Sequence, residues 1–208
     1  MTPKTRRDQE REATRRKFLD AARELFVSEG FESTSMRKIA EKTGYSPTAI
    51  YSHFEDKEAL LYELCDVDFR ALRGSFERIA RIADAVERLR ALGAAYIEFV
   101  LAHPNQYRLM FMTPHPKACP ENSTIEHGNP DQDAYAFLKA TVAEAMAAGR
   151  FRAEFDDADL VAQIVWSGVH GLAALHLTKG NDGWIEFRPL QSTAKHVIEV
   201  MIRGLIRE

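Results

Sequence analysis

The chain has 208 residues, 45% hydrophobic and 28% charged, which is the composition of a soluble globular protein of one or two domains. No apolar run reaches the roughly 18 residues of a membrane span: Ile164 to Leu177 falls about four short and carries Ser167, His170 and His176. The net charge of −3 is uneven, since residues 1–17 hold seven cations against three anions and leave the remainder at −7. A basic end on an acidic body fits a chain that touches nucleic acid at one end only, and equally a solvated tail.

That basic stretch, MTPKTRRDQEREATRRK, has no apolar segment behind its charges, so no secretory signal is expected and the cytoplasm is. Cys65 falls in a helical pattern and Cys119 in a Pro-rich loop, which predicts two reduced thiols. Phe18, Ala22, Leu25 and Phe26 recur at helical spacing up to Gly30, predicting a first helix over about 12–29. Ser35 is an N-cap candidate before Met36, Ile39 and Ala40, with Gly44 as the stop, which predicts a second helix over about 36–42. Ser46 caps again with Pro47 at the first helical position, and a third helix over about 47–53 follows. Asp56 then caps a fourth, whose apolar residues from Leu60 to Ile79 spread over more than one face.

The rest also reads as helix: Asp84–Ala102, Pro104–Met112, Asp131–Ala148, Asp157–Lys179 and Leu190–Arg207. Thr113 to Pro130 holds four prolines and is expected to be a loop. The fold class expected is all-α with about nine helices.

Short helices two and three, joined through Lys42-Thr43-Gly44-Tyr45, have the layout of a helix-turn-helix whose third helix reads a DNA major groove. Ser46, Pro47 and Thr48 leave the N-terminal end of that helix small enough to enter a groove. Tyr51 and His53 offer hydrogen bonds to phosphates or base edges, and Lys57 adds a charge at the start of the next helix. Arg37, in the first turn of helix two, is the side chain best suited to a bidentate contact with guanine.

The run FESTSMRKIAEKTGYSPTAIYSHFEDKEALL, Phe31 to Leu61, resembles the DNA-binding signature of the TetR family of bacterial repressors. The shared features are the hydroxyl-rich start of helix two, Ile39-Ala40, Gly44, Ser46-Pro47, Tyr51, His53-Phe54 and Lys57 followed by Leu60. The resemblance implies a helix-turn-helix DNA-binding domain with a basic N-terminal arm at 1–58, and a helical ligand-binding and dimerisation domain at 59–208. It implies DNA contacts at Ser35, Arg37, Thr48, Tyr51, His53 and Lys57, with Ser46 and Pro47 at the helix start and Ala49 and Ser52 as minor contributors. It also implies a regulator rather than an enzyme, a homodimer on a palindromic double-stranded operator, and a small-molecule effector, without cofactor or membrane.

WSGVHGLAAL, Trp166 to Leu175, resembles the Trp-His-Gly signature of one TetR C-terminal subgroup. Trp166 and His170 share a helix face, and Gly168 and Gly171 would let another helix approach closely. Tyr96, Tyr107, Phe111, Phe137, Trp166 and His170 are candidates to line an effector pocket, although each would serve equally in an ordinary core. The residues allow an apolar or aromatic effector.

The last helix carries His196, Val197, Val200, Met201, Gly204 and Leu205 as an apolar strip with no later element to cover it, and in the family this helix and the one before it form the dimer bundle. Two other readings stay open, a DNA-binding dimer without an effector and a metal-responsive repressor. An enzyme reading would use His103, His115, Cys119 and His127, whose spacing H-x11-H-x3-C-x7-H lacks the short pair usual at zinc sites, and zinc bound there would point to the metal-responsive repressor before an enzyme.

Overall fold

The computed structural model describes residues 6–113 and 123–207. Among these residues there are nine α-helices and no strand. They are α1 (Arg6–Glu29), α2 (Met36–Thr43), α3 (Pro47–Tyr51), α4 (Lys57–Gly74), α5 (Ala85–Ala102), α6 (Pro104–Met112), α7 (Ala134–Ala147), α8 (Ala158–Lys179) and α9 (Leu190–Leu205), with a 3-10 turn at Ile79–Arg81. The chain forms two compact units, Met1–Asp68 with Asn105–Thr124 and Phe69–Pro104 with Ile125–Glu208, and α4 runs from one into the other.

In the first unit the boundaries follow local chemistry. Gly30, at φ 90°, turns the chain where a side chain would be strained, its N–H bonding Phe26 O at 3.1 Å, and Phe31 folds back onto Phe26 at 5.2 Å between rings. Ser35 Oγ accepts from Lys38 N at 3.2 Å to start α2. Gly44, at φ 75°, ends that helix with its own and Tyr45's N–H groups returned to Glu41 O and Ala40 O. Ser46 Oγ then accepts from Ala49 N at 3.3 Å, and Asp56 Oδ1 from Ala59 N at 2.7 Å. The first helix begins at Arg6, earlier than the apolar pattern indicates, so the basic stretch from Arg6 onward is helical.

Phe18, Ala22, Ile39, Ala40, Ile50, Leu60, Leu61 and Leu64 are fully buried at the centre of this unit. Beside them Asp68 is also sealed from solvent. Its carboxylate accepts from Arg23 of α1 at 2.6 and 3.3 Å and from Gln106 of α6 at 2.7 Å, tying α1, α4 and α6 together. Burial, with Asp68 close by, pushes the neighbouring Cys65 thiol up to about 12, so it stays a protonated packing group.

In the second unit α5 packs against α7, α8 and α9, and α8 against α7 and α9. Asp84, Asp133 and Asp157 cap α5, α7 and α8, each accepting from two backbone N–H groups. Glycine permits close approach at two points: a Cβ on Gly93 would lie 2.9 Å from Ile198, and one on Gly168 would lie 2.2 Å from Met201 Sδ. At the far end Phe151 and Ile206 form an antiparallel bridge, and Arg152 donates to the carbonyls of Arg203 and Ile206, which closes α9.

Four expectations change. The α4 helix stops at Gly74, so Phe76 lies in the following turn and Ile79 in the 3-10 turn. Gly171 meets nothing within 4 Å, so no helix of its own chain approaches there among the described residues. Leu205 points inward with Leu190, Ala194, Ile198 and Ile202, because α9 has its buried row on that register. The 22-residue α8 extends the Ile164–Leu177 run at both ends, and an 18-residue window within it reaches a mean hydropathy of 1.4, a length and composition that the core helix of a soluble protein also has.

Replacing Asp68 by Ala would leave the Arg23 guanidinium, itself only 16% exposed, without its buried partner and with only the exposed Asp20 carboxylate at 3.2 Å. We expect a stability loss of about 3–5 kcal/mol in urea titration; a loss below about 1 kcal/mol would mean that Arg23 relaxes to water.

Candidate nucleic-acid interface and aromatic cluster

The turn at Gly44 and the cap at Ser46 set α3 against α2 with its outer face uncovered. Ser46, Pro47, Thr48, Tyr51 and Ser52 are exposed, Ala49 is half-buried, and Ile50 between them is fully buried. Thr48, Tyr51 and Ser52 fall at three- and four-residue spacing and so form one face, on which Tyr51 is the largest group at 57% exposure. On α2, Ser35 and Arg37 are also exposed.

Not all ten candidate residues have idle side chains. Ser35 and Ser46 use their hydroxyls as caps, and Ser52 donates its own to Ala49 O at 2.7 Å. Arg37 Nε is 2.7 Å from Glu41, whose hydrogen bond and charge raise the guanidinium pKa further. Exposed pairs one helical turn apart hold weakly, so Arg37 is readily exchanged onto another acceptor. Lys57 lies on the Phe31 ring at 4.2 Å and donates to Phe31 O at 2.7 Å, locking the start of α4 to the turn after α1. His53 is packed against Phe18 and Phe54, and its Nδ1 is buried with no hydrogen-bond partner.

Burial, followed by the charges of Arg11 and Arg15, lowers the His53 pKa. Periodicity does not reveal what surrounds it. Arg15 pairs with Glu63, donates to His53 O and lies 4.2 Å over the Phe54 ring, and the Thr14 hydroxyl is 3.4 Å from Tyr45 OH. That hydroxyl contact, then the Lys17 charge, lowers the Tyr45 pKa. The four-residue steps between Arg7, Arg11 and Arg15 are the signal the sequence offers for this layer.

The six pocket candidates do not act as one set. Tyr107 is fully buried in the first unit with the Phe111 ring tilted against it at 5.2 Å, while the other four lie in the second. Phe137 stacks on Phe76 and carries the Arg73 guanidinium 4.4 Å above its ring. Tyr96, Trp166 and His170 do converge. Trp166 Nε1 donates to Tyr96 OH at 3.4 Å, and Tyr96 OH lies 2.8 Å from His170 Nδ1. Since an indole nitrogen can only donate, the phenol oxygen accepts there, while the direction of its contact with Nδ1 follows the imidazole tautomer. Tyr135, absent from the candidates, packs on Trp166 at 5.9 Å.

A separate open cleft of about 450 Å³ in the second unit is lined by Arg70, Arg73, Gly74, Glu77, Asp131 and Gln132, none of them a candidate. No group of three or more metal-ligating side chains occurs among the described residues, and His115 and Cys119 lie outside those residues.

A capped helix-turn-helix with a bare, polar third helix, in a chain that also holds a helical second unit, defines a DNA-binding regulator. Residues 18–64 match the family model described as bacterial regulatory proteins, tetR family, and residues 89–201 match the tetracyclin repressor-like C-terminal domain. The chain belongs to the tetR family of bacterial transcriptional regulators.

Solved structures agree. A protein of unknown function from Rhodococcus sp. RHA1 is 28% identical with TM-score 0.73, covering 93% of this chain and 95% of that one. The TetR family regulator PfmR from Thermus thermophilus is 25% identical with TM-score 0.69, over 92% of this chain and all of that one. A TetR family regulator from Marinobacter aquaeolei, at 20% identity and TM-score 0.75 over 96% and 99% of the two chains, shares the fold. Regulators of this family bind DNA and act as dimers with small-molecule effectors.

Burial lowers the His170 pKa as well. For both histidines the folded chain therefore binds fewer protons than the unfolded one, whose value is about 6.5. Their contribution to stability is complete above that value and is lost as pH falls through the folded pKa values. The thermal midpoint should drop between pH 7.5 and 5.5, and the drop should shrink in a His53→Asn, His170→Asn double variant; an equal drop in both proteins would place the sensitivity elsewhere.

Proposed function

We propose that the protein is a cytoplasmic repressor that binds a near-palindromic operator as a homodimer and is released by an apolar or aromatic small molecule. The observation that carries the DNA reading is the exposed face of Thr48, Tyr51 and Ser52 on a helix whose start is fixed by Ser46 and whose back is sealed by Ile50. Arg37, Ser35 and His53 flank that face, with Ala49 at its edge and Ser46 and Pro47 at its start; Lys57 supports it from α4. The working domains in this reading are 1–58 for DNA and 59–208 for effector and partner.

The dimer reading rests on α8 and α9. Leu160, Ile164 and Leu175 on α8 and Val200 on α9 are exposed, Val200 at 72%, on helices whose opposite faces form the core. A second copy across a two-fold axis would cover them and set the recognition helices roughly 34–36 Å apart, one turn of B-DNA. Effector binding in this reading falls to the Tyr96–Trp166–His170 cluster, with Phe137 in the same unit, and α4 is the helix that would carry the change to the DNA-binding unit. An effector that favours the DNA-incompetent form about 100-fold supplies ~2.7 kcal/mol against operator affinity.

Selection from a random DNA pool is the direct test, and inverted half-sites about one turn apart are expected. Tyr51→Phe should weaken binding to every sequence, whereas Arg37→Ala should relax one base pair per half-site, at about 1–3 kcal/mol of discrimination. Equal losses on all sequences for both variants would remove Arg37 from base reading. For the dimer, Val200→Glu should convert a light-scattering dimer to monomer at micromolar concentration; a monomeric wild type, or an unaffected variant dimer, would move the interface off α9.

A further inference from the structure

Among the described residues, the buried charged side chains have close counter-charges with one exception. Asp68 has Arg23 at 2.6 Å and Arg88 has the Glu144 carboxylate. Arg73, in the last turn of α4 and 8% exposed, has only Asp131, whose side chain is 3.9 Å away and 95% exposed. That separation is too long for a hydrogen bond, and an exposed carboxylate so placed offsets little of the charge. A buried guanidinium without a close anion is a cost to the fold unless something outside the chain supplies one.

The group is nonetheless fixed in place. Its Nε donates to Pro130 O at 2.6 Å, and its plane lies 4.4 Å over the Phe137 ring, which stacks on Phe76. With that edge and that face taken, the two Nη groups remain, and among the described residues neither donates a hydrogen bond. Arg73 lines the 450 Å³ cleft with Arg70, three residues earlier on the same helix, and with Gln132. Gln132 Oε1 accepts from Glu126 N at 3.1 Å, so its amide nitrogen is left as a donor with no partner among the described residues. The carboxylates of the cleft, Glu77 and Asp131, belong to exposed residues and can turn to water; the Arg73 guanidinium cannot.

We infer that this cleft is a binding site for the carboxylate or phosphate group of a small molecule, held by the Arg73 fork and the Gln132 amide. A planar guanidinium presents parallel N–H donors to two oxygens of such a group, and the amide adds a third donor. Asp131 is the internal stand-in that the ligand would displace. None of the lining residues belongs to the Tyr96–Trp166–His170 cluster, so the site is distinct from the aromatic one. An occupant would tie the last turn of α4 to the segment that leads into α7. Only this consequence for α4 rests on the regulatory reading above; the binding does not.

The test uses the intact protein without DNA, titrated calorimetrically with inorganic phosphate and separately with benzoate, against potassium chloride at matched ionic strength. Saturable binding with half-saturation on the order of 1 mM is expected, phosphate alone marking a phosphate site and benzoate alone a carboxylate site. Gln132→Glu keeps an oxygen for Glu126 N–H but sets an anion where the donor stood, and should weaken binding about 10-fold or more. Asp131→Asn removes the stand-in and should tighten binding about 2–5-fold.

No saturable binding of either anion beyond the chloride control overturns the site, as does a half-saturation that is the same in the wild type and both variants. With a selected operator duplex present, an anion that binds in the cleft without releasing the DNA removes the consequence for α4 alone. Release by an uncharged apolar compound, equal in the wild type and in Gln132→Glu, upholds the regulatory reading even where the cleft binds nothing.

Discussion

One carboxylate without access to water, Asp68, sets the frame of the DNA-binding unit. An isolated buried charge would be expelled or protonated, so its presence obliges Arg23 and Gln106 to stay within hydrogen-bond reach. Those two partners sit on α1 and α6, and Asp68 is on α4, so the polar requirement of one side chain fixes three helices. Apolar contacts among Phe18, Leu61 and Leu64 supply adhesion but tolerate sliding, whereas a carboxylate shared between a guanidinium and an amide does not. Arg23 lies six residues C-terminal to Lys17 on the same helix, so the basic stretch inherits its direction from that anchor.

On the reading face the polar side chains divide between building and binding. Ser35 and Ser46 supply helix starts, Lys57 is held by Phe31, and Arg15 is committed to Glu63 and His53 O. Thr48 and Tyr51 have no such structural task among the contacts described, and Arg37 has only a weak exposed pair to surrender. A rigid frame of capped helices thus presents a few uncommitted groups, the arrangement in which little ordering remains to be done on binding.

Much of this is legible in the residues. Caps and breakers act locally, so Ser35, Gly44, Ser46-Pro47, Asp56, Asp84 and Asp157 place helix ends without knowledge of the fold. Long-range pairing is not local. The Asp68–Arg23–Gln106 hub joins residues 45 and 38 positions apart, and the spacing of Tyr96 and Trp166 says nothing of the hydrogen bond between them. Apolar periodicity places the start of α1 too late because it reports only the length of helix that has a core beneath it; Arg6 to Lys17 is helical without one. Leu205 reads as outward from sequence because α9 carries apolar residues on both faces, and only its neighbours in space choose between them.

That two-sided character carries a physical argument of its own. One side of α8 and α9 is used by α5 and α7, with Gly168 drawing the two helices together at Met201. The other presents Leu160, Ile164, Leu175 and Val200, while Gly171 and Gly204 on the same helices have nothing within 4 Å of where a Cβ would stand. Apolar residues interrupted by open glycines leave a face that is both sticky and able to admit a neighbouring backbone. The same combination gives α8 its apolar 18-residue window: a helix buried on one face by its own chain would need no polar side if a second copy covered the other. In a family whose members act as dimers, a two-fold partner satisfies both features at once, since the face it would bring is the face it would cover.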